Sequence, residues 1–377
     1  MTQPAPPRSP AFAVMRELGS GLRHEVRAFS LRDPRALQAW RPVLSVAIAV
    51  AAAHAIGLKD SWWSAISAFI VMQEAFGPSV YRGVLRIAGT LVGAGLGLLL
   101  GPTMATHAVL FVLLMGASAW LGLFGALRYK HSYAWVLGLI TFVMVMCEAV
   151  AAPGDLFAFA GERVANIVVG TLACVIVAGL TEPRLLAWLA GRRTPAPAAA
   201  GAAASAPAAD RRTVALHAVE GAAAVVLLSI AVLLHDLRSF PQAMVTAVVV
   251  MIVPLGGGHA ERLVSVTQRM VQRVVGCCAA GALAFALLPL IGQQPVWCQV
   301  ALALGVWAGA YMQRGAASVS YAAVQFSVAF LMVFVQDAGW TVNGWVALQR
   351  LGGVFAGIMS LALVIFVSRV VARRREA

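Results

Sequence analysis

The sequence predicts an all-α integral membrane protein with about twelve transmembrane helices, arranged as two parallel six-helix repeats. Three observations predict this class. Of the 377 residues, 61% are hydrophobic and only 11% are charged, whereas soluble domains carry about 25% charged residues. Long apolar segments recur along the chain, and a set of arginines repeats at one fixed offset. In such a chain the net charge of +13 indicates membrane topology rather than binding to nucleic acid.

Apolar segments of about 20 residues, the length that crosses a bilayer, fall into two sets of six. The first set comprises residues 42–57, 62–78, 84–100, 106–126, 132–150 and 158–180. The second set comprises residues 213–234, 239–255, 270–290, 295–312, 317–336 and 343–368. The segments 62–78 and 239–255 are short and end near Pro78 and Pro254, so we expect them to be tilted, broken or re-entrant.

The distribution of basic residues predicts the orientation of the helices. Of the 28 lysines and arginines, 24 fall in the N-terminal arm, in the C-terminal tail and in alternate loops, which all lie on one side. Because loops rich in lysine and arginine stay in the cytoplasm, we expect both termini to be cytoplasmic in a bacterial inner membrane. Six spans per half make both halves begin on the cytoplasmic side, which predicts parallel repeats.

The chain is predicted to divide into five segments. Residues 1–41 form a cytoplasmic N-terminal arm with an amphipathic helix, which either lies on an anionic membrane surface or packs against the protein. Residues 42–183 and 213–369 are the two six-helix membrane repeats. A cytoplasmic Ala/Pro-rich linker, residues 184–212, joins them, and residues 370–377 form a basic cytoplasmic tail.

Arginines mark the duplication. Arg86 and Arg163 lie 77 residues apart, and so do Arg273 and Arg350. The second pair follows the first at an offset of 187 residues. An arginine inside a bilayer costs about 2.5–3.5 kcal/mol or more, so it is expected to face a cavity rather than lipid. A repeated intramembrane arginine therefore predicts a protein that moves anions.

The segment from Trp62 to Gly95 reads WWSAISAFIVMQEAFGPSVYRGVLRIAGTLVGAG. It resembles the fusaric acid resistance and aromatic acid exporter family, whose signature is a Trp-led helix, a Val-Met-Gln-Pro-like end and an Arg-Ile-x-Gly-Thr helix. A degenerate copy follows between residues 240 and 281. Plant aluminium-activated malate channels look like more distant relatives. Glu74 departs from the family pattern, which often has proline at that position.

The four repeated arginines are the candidate substrate-binding residues. A guanidinium is permanently charged and pairs with a carboxylate through two parallel hydrogen bonds. For Arg163 and Arg350, two other interpretations remain open, namely an ion pair with a neighbour such as Glu162 and snorkelling to the interface. Arg86 and Arg273 either act at the cytoplasmic mouth or are ordinary positive-inside anchors.

Three further residues are candidates with weaker support. Trp120 and Trp307 match at the same 187-residue offset, and they either stack on an aromatic substrate or pack in the core. Glu74 is a candidate for proton coupling, because a carboxylate inside a membrane can carry protons. The alternative for Glu74 is a simple interfacial position.

These features predict a transporter that exports organic anions, and the resemblance implies aromatic carboxylic acids. A passive anion channel and a non-transporting protein of envelope assembly are the alternatives. The sequence carries no nucleophile–base pair or metal-ligand cluster, so we predict no enzyme activity, cofactor or metal. The expected partners are the organic anion and membrane lipid, with a homodimer and a periplasmic adaptor protein as candidate protein partners and no nucleic acid.

Overall fold

The computed structural model describes residues 10–104, 106–182, 210–234, 240–256, 258–292, 294–336 and 342–376. Within these ranges every regular element is a helix and there is no strand, so the all-helical prediction is confirmed. An apolar chain adopts helices in a membrane because lipid offers no hydrogen-bond partners to the backbone, whereas a helix pairs its own N–H and C=O groups. The predicted linker at 184–212 lies outside the described ranges as far as residue 209.

Two short helices, α1 (Pro10–Arg27) and α2 (Pro34–Gln38), precede the first set of six. That set is α3 (Trp40–Ala55), α4 (Trp62–Val71), α5 (Phe76–Met104), α6 (Ala108–Arg128), α7 (Ser132–Ala151) and α8 (Leu156–Leu180). The second set is α9 (Arg211–Leu234), α10 (Phe240–Val250), α11 (His259–Ile291), α12 (Pro295–Gln313), α13 (Ala317–Phe334) and α14 (Gly344–Glu376). Each predicted segment corresponds to one helix, although segment 62–78 also includes the first residues of α5. The largest differences are at the starts of α5 and α11, which are residues 76 and 259 instead of 84 and 270, and at the end of α14, which is Glu376 instead of residue 368.

Ten helical segments of the described chain are long and apolar enough to cross a membrane. The other two predicted spans are the short helices α4 and α10. The 10 residues of α4 cover about 15 Å, which is half of a hydrocarbon core of about 30 Å. Beyond α4 the backbone becomes extended at Met72. Irregular backbone at membrane depth is tolerated where it lines a cavity, and the count of twelve spans stays a prediction.

The same helix pairs pack together in both halves. Helix α5 packs on α7 as α11 packs on α13, and α4 packs on α8 as α10 packs on α14. Across the halves, α6 contacts α9 and α12 contacts α3. Small residues allow these close approaches: a Cβ on Gly170 would collide with the Ser64 carbonyl oxygen, and one on Gly357 with the Ala243 carbonyl oxygen. The matched pairs agree with a duplicated unit, which remains a prediction.

The N-terminal helix α1 packs against α11 and α13. Its Leu18 is buried with Val319 and Ala322, as the packing interpretation of this helix predicts. Phe12 and Met15 remain exposed on its other side. The arm is tied down at Glu25, whose carboxylate accepts hydrogen bonds from the Ala316 N–H (2.8 Å) and from Arg35 (2.9 Å).

We expect the Glu25 contacts to hold the arm in a pH-dependent way. Burial raises the pKa of the Glu25 carboxyl, but its hydrogen bonds to Ala316 and Arg35 outweigh burial and bring the pKa below the ordinary value of 4.5. The stabilisation is therefore fully present above pH 4.5 and is lost as the pH falls through the lowered pKa. In hydrogen exchange at pH 7, Glu25→Gln should open α1 faster than wild type. The exposed Glu17→Gln on the same helix is the control, and equal exchange in both variants would contradict this role.

Candidate functional site: an arginine-lined cavity between the halves

A cavity of about 650 Å³ lies between the two halves of the protein. Its wall comes from α4, α5, α7 and α8 of the first half and from α10, α11 and α13 of the second. Isoleucine and valine side chains form much of the surface, and five arginines line it: Arg82, Arg86, Arg163, Arg269 and Arg273. The described lining residues include no aspartate or glutamate. A concentration of uncompensated cations in a low-dielectric setting attracts anions.

The arginines are arranged by depth. Arg82 and Arg86 lie one helical turn apart near the start of α5, and Arg269 and Arg273 are spaced in the same way on α11. Four residues of helix advance by about 6 Å. Within each pair, Arg86 and Arg273 therefore lie deeper than Arg82 and Arg269, which are nearer the side that carries the basic loops. Arg163 reaches the cavity from the first turns of α8, beside Trp63 at the start of α4.

Arg86 and Arg273 are buried inside the helical body, at 3% and 5% exposed. The Arg86 guanidinium donates hydrogen bonds to the Ser67 hydroxyl (3.1 Å) and the Tyr133 hydroxyl (2.7 Å). Arg273 donates to the Thr246 hydroxyl (3.0 Å) and to the Gln325 side-chain oxygen. Surface anchors would point to the interface, so these positions favour the cavity interpretation over ordinary positive-inside anchoring.

Arg82 and Arg269 are lining residues that the sequence reasoning missed. The Arg82 guanidinium lies 4.6 Å from the Tyr133 ring centroid, and the Arg269 guanidinium lies 4.2 Å from the Tyr321 ring centroid. Cations over tyrosine rings at this range make cation–π contacts. The signal was present, since Arg82 and Arg269 are also 187 residues apart. The hydropathy pattern assigns both arginines to the basic loops, because α5 and α11 begin earlier than that pattern predicts.

Arg163 is the most unusual of the five arginines. It is 3% exposed, and none of its three guanidinium nitrogens donates a hydrogen bond to a described protein atom. Its guanidinium lies 3.3 Å from the Trp63 ring centroid. The structure shows no close ion pair between Arg163 and Glu162 among the described residues, so it does not support the alternative that Arg163 is a structural ion-pair partner. Buried donors without partners are rare in native proteins and call for a ligand or another specific cause.

Arg350 has a different environment from its repeat mate. It donates hydrogen bonds to the carbonyl oxygens of Met332 (2.7 Å) and Val335 (3.3 Å) at the end of α13. Its guanidinium also approaches the Asp60 carboxylate at 3.8 Å and lies 4.7 Å from the Trp62 ring centroid. A cation at a helix C-terminus stabilises the last carbonyls. Arg350 does not line the cavity.

The two predicted binding arginines therefore lie against a pair of neighbouring, tilted indole rings rather than facing each other. The Trp62 and Trp63 ring centroids are 3.9 Å apart. Arg163 lies against Trp63, and Arg350 lies against Trp62. Their joint binding of one carboxylate stays a prediction, and this geometry favours Arg163 as the cavity residue.

Comparison with known proteins finds a family match in the first half of the chain. Residues 35–187 match the sequence profile of the fusaric acid resistance protein family. Most of the first half of the chain is therefore similar to that family. The match includes all of the first-half lining residues, whereas residues beyond 187 lie outside it.

Proteins similar to this chain include the p-hydroxybenzoic acid efflux pump subunit AaeB of Edwardsiella ictaluri, which is 30% identical over 40% of the chain and 26% of the relative. The subunit of the same name from Edwardsiella tarda is 28% identical over 39% of the chain and 24% of the relative. The match thus spans about a quarter of each relative's length. No solved structure matches the chain. The matched names are those of efflux pump subunits, in agreement with the expectation that the chain is not an enzyme. With its apolar helices, it is a multi-pass membrane protein.

Trp120 and Trp307 do not line the cavity. The Trp120 indole N–H instead donates to the Ala215 carbonyl oxygen of the second half (3.3 Å), and the Trp307 indole N–H donates to the Ala36 carbonyl oxygen of the N-terminal arm (2.9 Å). Trp120 also stacks on Phe124. These contacts support the packing interpretation, at matched positions between the halves, and give no support to substrate stacking.

Glu74, the candidate for proton coupling, also lies outside the cavity lining. Its side chain is exposed, in the connection between α4 and α5 on the side of the basic loops. Its backbone carbonyl oxygen accepts a hydrogen bond from Arg41 (2.6 Å). This placement fits the interfacial alternative. The described part of the chain contains no cluster of metal-ligating residues.

Proposed function

We propose that the chain is a membrane transporter that exports aromatic carboxylic acids, and that the cavity between its halves is the substrate site. The observation that carries this proposal is the buried guanidinium of Arg163 in the cavity wall, without a described hydrogen-bond partner. A carboxylate would supply two acceptor oxygens for its forked donors. The cost of burying an unpartnered cation would then be offset when substrate is bound.

The cavity wall also suits an aromatic ring. Ile66, Ile70 and Ile140 of the first half face Val249 and Val328 of the second half across it. Pockets that combine apolar walls with a few placed polar groups hold small organic ligands in one orientation. A flat apolar body with one anionic end would satisfy both parts of this lining. The similar proteins are p-hydroxybenzoic acid efflux pump subunits, which supports the same class of substrate.

The buried tryptophans beside Arg163 favour a carrier over an open channel. Trp62 and Trp63 are 5% and 6% exposed, and their rings meet at an angle of 32° between Arg163 and Arg350. In a carrier, a substrate that leaves on the side opposite the basic loops would displace this indole pair. We propose that this side is periplasmic and that both termini are cytoplasmic in the inner membrane, because the basic loops should stay inside. The similar proteins are pump subunits, so we propose a periplasmic adaptor protein or a second copy of this chain as the protein partner.

The test is transport by the full chain in proteoliposomes. We expect saturable movement of radiolabelled p-hydroxybenzoate above the rate in empty liposomes, and no such excess for the uncharged p-hydroxybenzyl alcohol. Current measurements in planar bilayers distinguish the channel alternative, since a channel would pass anions under voltage alone. If folded protein gives neither flux nor current, the envelope-assembly alternative replaces transport.

A further inference from the structure

The two halves carry corresponding arginine–tyrosine groups whose hydrogen bonding differs. Arg82 lies over Tyr133, and Arg269 lies over Tyr321. The Tyr133 hydroxyl is engaged, because it accepts a hydrogen bond from Arg86. The Tyr321 hydroxyl is buried and has no hydrogen-bond partner among the described residues. Because the Tyr133 oxygen turns a lone pair toward Arg86, its own O–H hydrogen points away from that cation. The Tyr321 hydroxyl has no such contact among the described residues and can turn its hydrogen toward an anion held by the neighbouring arginines.

One substitution between the repeats explains this difference. Leu137 stands four residues after Tyr133, and Gln325 stands four residues after Tyr321. In the second half the Gln325 side-chain oxygen accepts from Arg273, which draws that guanidinium away from the tyrosine. In the first half leucine has no acceptor, and Arg86 turns to the tyrosine hydroxyl instead.

We propose that Tyr321, Arg269 and Arg273 form a carboxylate subsite in the second half that binds more tightly than the corresponding group around Tyr133. The Tyr321 hydroxyl would donate one hydrogen bond, and the Nε of Arg273, which also has no described partner, would donate another. Arg269 adds a second positive charge in the lining. The Tyr321 hydroxyl and the Arg273 Nε are both buried in this conformation. An anion would therefore bind to them only after a side-chain rotation exposes them to the cavity.

This subsite gives the two halves unequal roles. An organic anion would first be held at the second-half group near the basic loops and would then pass to the deeper Arg163, which comes from the first half. Like charges four residues apart on a helix repel each other, and an anion between Arg269 and Arg273 would relieve that repulsion. The inference rests on the proposed function, because it assigns part of the same cavity to the same class of carboxylate.

The experiment is binding of p-hydroxybenzoate to the full chain in lipid nanodiscs, measured by isothermal titration calorimetry. We expect Tyr321→Phe to raise the Kd about tenfold, the size of losing one hydrogen bond to a charged group. The matched Tyr133→Phe should change the Kd by less than about threefold, since its hydroxyl is already engaged by Arg86.

A reciprocal pair of variants tests the cause of the asymmetry. Gln325→Leu should release Arg273 onto the Tyr321 hydroxyl and weaken binding, while Leu137→Gln should free the Tyr133 hydroxyl and strengthen it. Equal effects of Tyr321→Phe and Tyr133→Phe, or an unchanged Kd in both Tyr321→Phe and Gln325→Leu, would overturn the subsite alone. A folded wild-type protein that binds no aromatic carboxylate would overturn the proposed function, and the subsite with it.

Discussion

Replacing Arg163 by glutamine is expected to lower kcat/KM for export of aromatic carboxylates by about 100-fold, the equivalent of two hydrogen bonds to a charged group. Glutamine keeps much of the side-chain length but removes the charge and the forked donors. Initial rates in proteoliposomes, at matched protein content, measure this effect. Arg163→Lys should recover little, because an ammonium group lacks the planar fork that pairs with a carboxylate and stacks on Trp63.

The same substitution should leave the unliganded protein as stable as wild type or more stable. In the structure the Arg163 guanidinium is buried without a described hydrogen-bond partner, and an unpartnered buried charge is costly. Loss of transport combined with a maintained or raised Tm is typical of a residue kept for function. If Arg163 were part of a structural ion pair, its replacement would lower the Tm, because the remaining partner would be a buried charge without a counterion.

Arg350→Gln provides the matched control from the other half. Its guanidinium donates to the carbonyl oxygens of Met332 and Val335, so its loss leaves those acceptors without their cation and should lower the Tm. Export by the remaining folded protein should fall less than in Arg163→Gln. If Arg163→Gln lowers the Tm while Arg350→Gln abolishes export at an unchanged Tm, the assignment of the two roles is reversed.

The sequence predicts the helices of this protein well because each helix corresponds to a continuous apolar segment, which can be identified from neighbouring residues alone. The ends are less predictable where polar residues lie inside a helix. Arg82 and Arg269 interrupt the apolar pattern, so they were read as loop residues, although they lie within α5 and α11. A cavity removes the need for those positions to be apolar, and hydropathy alone does not distinguish a cavity wall from a loop.

The candidate site is only partly predictable for a different reason. The 187-residue offset identifies equivalent backbone positions, but a side chain's role depends on neighbours from other helices. Arg163 meets Trp63, whereas Arg350 meets the end of α13. Arg86 bonds to Tyr133 and Arg273 bonds to Gln325. These pairings join residues tens of positions apart, so they depend on helix packing that sequence spacing does not contain.

Trp120 and Trp307 illustrate the same limit. The repeat identifies Trp120 and Trp307 as equivalent positions, but it does not indicate which role either side chain has. The structure gives the Trp120 indole N–H a backbone carbonyl oxygen in the second half and the Trp307 indole N–H one in the N-terminal arm, which satisfies the polar end of a largely apolar side chain. A repeated aromatic residue can therefore join parts of the membrane body without lining the cavity.

Replacing Gly93 by alanine is expected to lower the stability of the protein by about 3 kcal/mol, the upper part of the range for overpacking a close contact. Helices α5 and α7 approach closely there, and a Cβ on Gly93 would collide with the carbonyl oxygen of Gly138. Backbone atoms have no alternative rotamer, so the helices must separate. Thermal unfolding of the purified protein in detergent measures the loss.

Gly95, two residues further along α5, is the matched control. A Cβ there meets no described atom within 4 Å, and alanine is a better helix former than glycine by about 1 kcal/mol. Gly95→Ala should therefore leave the Tm unchanged or raise it. Equal losses in the two variants would mean that α5 does not approach α7 as described. Since Arg86 lies on α5 and Tyr133 on α7, opposite effects from the two glycines would also establish the helix contact that forms this wall of the cavity.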